Sequence, residues 1–354
     1  MPEFASVLDV FRRTFPAGLV SAEAVRQLAE AVGDLPDALS AGYILECRLN
    51  DDAHVDLGIV VDPAINQGRS LLSGSELPER VQIDPIWQRI ATFARQWTDE
   101  QSPVHEQIAT IWLEFDIDGT LHPRPSFFFG PHPDTWKKIA SQATSDSSFQ
   151  ALIEPLRMLL PTLGGTDLLE GCFSSVPKNA EVFQLGLMLP RGSNAVRLCV
   201  RGKPDAELMR YLPRIGWEGD ATNLHAVLIA LAGLVDNIGL DADVGTSIGK
   251  RIGIECRFDQ WRQPTQEPRW KAFLDYLVSI KVCTTAKRDA LLAWPSTGYH
   301  RFPEDRLPRV LIRALNHIKI VIEPEKPLEA KAYLWFGTRS ADYMKARQEG
   351  RNSG

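Results

Sequence analysis

Cysteine is scarce in this 354-residue chain: Cys47, Cys172, Cys199, Cys256 and Cys283 are the full set of five, with no CxxC pair among them. An odd, thin set cannot build a disulfide framework and offers no zinc-ligand spacing, so the thiols are expected to be reduced and the protein cytoplasmic. Positive charge is not in excess either. The 39 Lys and Arg stand against 45 Asp and Glu, and the net charge of -6 draws the chain neither to a nucleic-acid backbone nor to an anionic membrane. Long apolar runs are missing: Ala226 to Val235 is about half the length of a membrane span. Glu3, Asp9, Arg12 and Arg13 interrupt the apolar pattern of Met1 to Pro16, so no signal-peptide core is expected there. The seven histidines are scattered and form no metal-ligand set.

What the chain has is a repeated order of elements. Five times, two strand-like runs are joined by a short polar or glycine-bearing turn, and each pair is set apart from the next by sequence of helical period. The pairs are Gly42 to Leu49 with Val55 to Asp62, Ile108 to Ile117 with Ser126 to Gly130, and Val182 to Leu189 with Ala195 to Gly202. Gly239 to Val244 with Arg251 to Phe258, and His317 to Glu323 with Glu329 to Phe336, complete the set. Helices are expected before the first pair, between the pairs, and at Glu304 to Leu315; Asp84 followed by Pro85 marks one N-terminus plainly. Antiparallel hairpins linked by helices exclude a doubly wound parallel sheet. The expected fold is α+β: a ten-stranded antiparallel barrel of five αββ-type repeats inside an outer ring of helices. It spans a single domain over residues 1–339, with N-terminal helices in 3–35, barrel repeats in 42–336, and a flexible tail in 340–354.

Strand alternation sorts the side chains. One parity collects Leu45, Leu57, Leu113, Leu198, Ile254 and Ile320 with other apolar residues and belongs under the helices. The opposite parity is polar in every hairpin: Glu46, Arg48, Asp56, Trp112, Glu114, Asp116, Gln184, Arg197, Arg201, Asp241, Asp243, Glu255, Arg257, His317, Lys319, Lys331, Tyr333 and Trp335. Arginine, tryptophan, tyrosine and acids recurring at matched depth suit an enclosed lumen better than open water, and ten strands is about the size at which an open sheet curls or closes.

Five αββ repeats with a polar lumen resemble the ABBA or PT-barrel prenyltransferases, which include the bacterial aromatic prenyltransferases, the dimethylallyltryptophan synthases and the cyanobactin peptide prenyltransferases. Lys331 and Tyr333 in KAY are similar to the Lys-x-Tyr pairs of dimethylallyltryptophan synthase strands. Two strands depart from that pattern, since Arg197 and Arg201 in RLCVR have no tyrosine after them and Lys319 is followed by Val321. The resemblance implies a transferase that moves an isoprenoid group from its diphosphate to an aromatic small molecule or a peptide side chain, in natural-product biosynthesis. It implies no required cofactor.

The residues themselves fit that chemistry. An allylic diphosphate leaves with several negative charges, and fixed cations must receive them; Arg48, Arg197, Arg201, Arg257, Lys319 and Lys331 are the candidates. The competing expectation pairs these cations with Glu46, Asp56, Asp241, Asp243 and Glu255 inside the lumen. Glu114, with Glu46 as the other choice, is the candidate to orient or deprotonate the acceptor. Trp112, Tyr333 and Trp335 present π faces to a cation. Magnesium is an optional partner through the DxD-like pair Asp116 and Asp118, although Asp118 also suits a plain turn. GTSIGKRIG, Gly245 to Gly253, lacks P-loop spacing and is expected to be a hairpin turn. The alternative function is a non-catalytic barrel that binds a peptide or partner protein of a biosynthetic pathway.

Overall fold

The computed structural model describes residues 3–50, 52–65, 67–74, 76–141 and 146–340. All but the first residue of the expected flexible tail lies outside these. The strands are β1 (Gly42–Arg48), β2 (Val55–Val61), β3 (Ile108–Phe115), β4 (Ser126–Pro131), β5 (Glu181–Leu187), β6 (Val196–Gly202), β7 (Asn237–Val244), β8 (Ile248–Arg257), β9 (Ser296–His300), β10 (Arg309–Ile322) and β11 (Glu329–Arg339). Each barrel strand is hydrogen-bonded to its sequence neighbour, β8 passes to β10, and the ring closes through the pairs β10–β11 and β11–β1. Every pairing is antiparallel. The expected ten-stranded barrel is therefore the fold, with β9 an extra strand paired only to the first residues of β10.

Apolar burial holds the ring together. Leu45, Leu57, Leu113, Leu198, Ile254 and Ile320 are all at or below 1% exposure and belong to one core with the inner faces of the helices. The helix Pro85–Thr98 shows how local sequence serves that packing. Asp84 caps it by accepting from the Ile86 amide at 2.8 Å, Pro85 opens it, and Trp87, Ile90, Phe93, Ala94 and Trp97 recur at helical spacing on its buried face. The Trp97 indole then donates to the Ile108 carbonyl at 2.8 Å, tying helix to barrel.

One expected helix is a strand. Residues 304–315 have a helical apolar period, yet β10 begins at Arg309 and runs 14 residues. Pro308 blocks a helix through that point, Val310 and Ile312 favour extended backbone, and pairing with both β9 and β11 decides the outcome. A bulge at Asn316 then shifts the register between Leu315 and His317, so Ile312 and Ala314 precede it, and His317 and Lys319 follow it, on the same inner face. The short helices Gly68–Ser73 and Asp167–Ser174 were not expected from the sequence.

Glycines on the inner face make room for larger neighbours. A Cβ at Gly186 would lie 2.1 Å from Cε1 of Phe128, the ring that crosses from the next strand. Gly186→Ala must therefore push Phe128 aside and is expected to destabilise the protein by about 2 kcal/mol, measured from the urea midpoint. Phe128→Leu in the same chain should return part of that loss; strict additivity of the two changes would mean the ring does not depend on this glycine.

Candidate active site

The inner face encloses a cavity of about 250 Å³. Seven carboxylates and seven guanidinium or ammonium groups line it. Near the start of β6 and the end of β7, Arg197 forks onto Asp243 with two bonds of 2.8 and 2.9 Å. Lys319 reaches Asp241 at 2.6 Å and lies 3.4 Å from Glu255. It arrives from β10 by passing over Gly253 of β8, where a Cβ would stand 3.2 Å from its stem. Lys331 and the Tyr333 hydroxyl both donate to Glu46 across the β1–β11 pair. His317 stacks on Tyr333, ring centroids 4.1 Å apart.

Arg201 and Arg257 sit at the other ends of β6 and β8. They pair with Glu181 and Glu255, and both guanidiniums lie over the Phe183 ring at 5.0 and 5.1 Å. Four residues of strand put Arg201 about 13 Å from Arg197 along β6, so the two serve different depths of the lumen.

Nine of the eleven candidate site residues thus line one cavity: Glu46, Trp112, Glu114, Arg197, Arg201, Arg257, Lys319, Lys331 and Tyr333. Arg48 and Trp335 are not brought there. Arg48 lies at the end of β1 and bonds Asp52 at 3.0 Å. Trp335 lies over Gly42 and Gly337 and joins Ile44 and Ala314 in an apolar cluster at the opposite end. The structure adds Arg191, Arg251, Phe183 and Asn316 to the lining. Arg251 shares parity with Glu255 and was legible on that ground. Arg191 comes from the β5–β6 turn to fork onto Asp116 at 2.9 and 2.7 Å, a contact no periodicity announces. Asp116 is thereby engaged, and Asp118 caps its turn by accepting from the Thr120 amide at 3.0 Å. No group of three or more His, Cys, Asp or Glu placed to hold a metal occurs among the described residues. The Gly245 amide bonds the Ser247 carbonyl at 3.0 Å in the β7–β8 hairpin turn that the glycine-rich segment was expected to form.

These environments separate the two candidate carboxylates. Burial raises the Glu46 carboxyl, but Lys331, Lys319 and the two donated hydrogen bonds outweigh it and hold it at about 2. Glu114 has no ion pair or hydrogen bond among the described residues. Burial, with Glu46 and Glu255 nearby, pushes it up to about 7 against the partial relief of Lys319 and Arg197. His317 is driven down to about 4 by burial and is neutral at pH 7.

A carboxyl whose pKa is higher in the folded chain than in the unfolded one costs stability once it ionises. That cost grows as pH rises from about 4.5 to about 7 and is then constant. Glu114→Gln, shape-conserving and uncharged, should be more stable than the parent above pH 7, by up to about 3 kcal/mol, with the gap closing toward pH 4.5. Melting temperatures across that range check this, and a variant less stable than the parent at high pH would mean that Glu114 has a cationic partner.

No protein-family model and no curated protein sequence matches the chain. Solved structures do match. The 6-dimethylallyltryptophan synthase of Micromonospora olivasterospora, in complex with DMASPP and Trp, aligns with a TM-score of 0.50 and 13% identity over 90% of this chain and 92% of that one. The 5-dimethylallyl tryptophan synthase of Streptomyces coelicolor aligns with a TM-score of 0.44 at 13% identity, over 93% and 92% of the two chains. The prenyltransferase PriB aligns with a TM-score of 0.46 at 14% identity, over 94% of each. At 13% identity the likeness to the Micromonospora olivasterospora synthase is one of fold, and with the closed ten-stranded antiparallel ring it gives this chain a PT-barrel fold.

Proposed function

We propose that the protein is a prenyltransferase that moves an isoprenoid group from its diphosphate to an aromatic or peptide side-chain acceptor inside the barrel. The observation that carries this reading is the meeting of Arg197, Lys319 and Lys331 with Trp112, Tyr333 and the unpaired Glu114 in one cavity. The bound DMASPP and Trp of the Micromonospora olivasterospora neighbour support it by likeness of fold.

In this reading the donor's diphosphate takes over the cations that Asp243, Asp241 and Glu46 hold in its absence. Breaking the bond from the allylic carbon to the diphosphate oxygen leaves an allylic cation, which the π faces of Trp112 and Tyr333 shield. The acceptor attacks that carbon, and its displaced proton passes to Glu114, whose pKa of about 7 suits a base at neutral pH. No step needs a metal.

The full pairing of the lumen cations favours a second reading, a non-catalytic barrel that binds a peptide or partner protein, because paired charges by themselves complete a structural network. Calorimetry with dimethylallyl diphosphate decides between the two. Binding is expected without magnesium, and Lys331→Gln should weaken it by about tenfold or more. Absence of binding by dimethylallyl and geranyl diphosphate, with and without magnesium, would leave the non-catalytic reading.

Glu114→Gln is expected to lower turnover by about 10² to 10⁴ while diphosphate affinity barely changes. The parent's rate should rise with pH through an apparent pKa near 7, as Glu114 loses its proton, and the variant should lose that limb. Unchanged turnover in folded Glu114→Gln would move the role to Glu46 or remove it.

A further inference from the structure

The charges of the lumen do not balance once a donor is bound. Before it enters, each lining cation already has a carboxylate: Arg191 has Asp116, Arg197 has Asp243, Arg201 has Glu181, Arg251 faces Glu323 at 3.6 Å, Arg257 has Glu255, Lys319 has Asp241 and Lys331 has Glu46. A diphosphate adds several negative charges to an interior with no cation to spare, and a buried uncompensated charge is costly. Some positive charge must enter with it. Two lining carboxylates have no Lys or Arg partner among the described residues: Asp56, which is bonded instead by the His54 ring at 2.8 Å and by the Ile117 amide, and Glu114, which has neither an ion pair nor a hydrogen bond and has space beside it. Its ladder neighbours are Gly58 on β2 and Ser126 on β4, two of the smallest residues in the ring, and the Trp112 indole lines the cavity two residues along the same strand.

We propose that the acceptor is a protonated amine, seated on the Glu114 carboxylate beside the Trp112 ring, and that its nitrogen is the atom prenylated. The proposal rests on the prenyl-transfer reading above and narrows its acceptor class. An ammonium donates to an ionised carboxylate and is attracted to an indole face, so both features recognise the same group. The step balances. One ammonium proton passes to the Glu114 carboxylate, the freed nitrogen lone pair forms the bond to the allylic carbon, and that carbon's bond to oxygen breaks with its electron pair leaving on the diphosphate. The product is a prenylated ammonium, a protonated Glu114 and free diphosphate.

The groups that act on Glu114 from the surrounding strands are Glu46, Arg197, Glu255, Lys319 and Tyr333. Burial opposes the charged forms of Arg197 and Lys319, but their acid partners keep both cationic. Burial also opposes ionisation of Glu46 and Glu255, which neighbouring cations keep ionised. Tyr333 stays neutral because burial and Glu46 raise its pKa. Between pH 5.5 and 8.5, roughly a window centred on 7, Glu114 is therefore the member of this set that changes charge.

The test is calorimetry of the full chain, without diphosphate, with tryptamine and with tryptophol, which share an indole and differ in ammonium against hydroxyl. At about pH 8.5, tryptamine should bind at least about tenfold tighter. The preference should vanish at about pH 5.5, where Glu114 is protonated, and in Glu114→Gln at either pH. Equal binding at high pH, or a preference that survives in the variant, overturns the proposal. So does a preference for tryptamine that appears only when magnesium is present. His54, whose pKa is raised by its hydrogen bond to the lining Asp56, also titrates in this window, so the pH comparison is repeated in His54→Gln, where the preference should still vanish at about pH 5.5; loss of the pH dependence there overturns the proposal even where Glu114→Gln does not fold. With dimethylallyl diphosphate added, NMR of the product should place the prenyl group on the side-chain nitrogen, and a ring-prenylated product overturns the assignment. An amine preference in a protein that binds no diphosphate would sink the prenyl-transfer reading alone.

Discussion

Closing the sheet on its polar face obliges each group inside to find a partner or to give up its charge. An open antiparallel sheet leaves that face in water; here the β10–β11 and β11–β1 pairings seal it, and Asp241, Glu255, His317 and Tyr333 end at 7% exposure or less. Desolvation then sets the terms for each group. Glu255 is held ionised by His317, Arg257 and Lys319, Arg197 stays a cation beside Asp243, and Glu46 stays ionised through Lys331 and Tyr333, whereas burial and Glu255 raise the Asp241 carboxyl despite its contact with Lys319. Glu114, the carboxylate without such a partner, is also the one with a pKa near neutrality.

The same network governs what the cavity can bind. Cations already held by carboxylates accept a diphosphate only by exchange, and each displaced acid must then find a proton or another cation. That requirement joins donor, acceptor and proton balance in one constraint. The network is also continuous along the barrel: Glu255 lies against both Lys319 and Arg257, and Arg257 with Arg201 flanks Phe183 toward one end. The apolar cluster of Ile44, Ala314, Tyr333 and Trp335 fills part of that same end.

Much of this was legible in the sequence, because alternation is a strict rule within an unbroken strand. Parity sent Leu45 and Ile254 under the helices and Glu114, Arg197 and Lys331 into the lumen, and the structure agrees. Parity carries no information about depth or strand ends, so Arg48 and Trp335 were assigned to a cavity that neither lines, although Trp335 packs with Tyr333 and Arg48 pairs in register with Lys331. It also fails across a bulge. At Asn316 the inward set changes from even to odd numbers, and the helical period of the preceding residues concealed a strand whose pairing is entirely long-range. The Arg191–Asp116 fork joins residues 75 apart through a turn, where neither period applies. Nor does a sequence announce a vacancy: that Glu114 goes without an ion pair or hydrogen bond among the described residues emerges only once the other pairs are seen.

The most direct test of this account is a crystal structure of the protein with the thiolodiphosphate analogue of the dimethylallyl donor. The account predicts the analogue's diphosphate bonded to Arg197, Lys319 and Lys331, with Asp243, Asp241 and Glu46 no longer their sole partners and the allyl group against Trp112 and Tyr333. A lumen without analogue at saturating concentration, with those ion pairs intact, would contradict it.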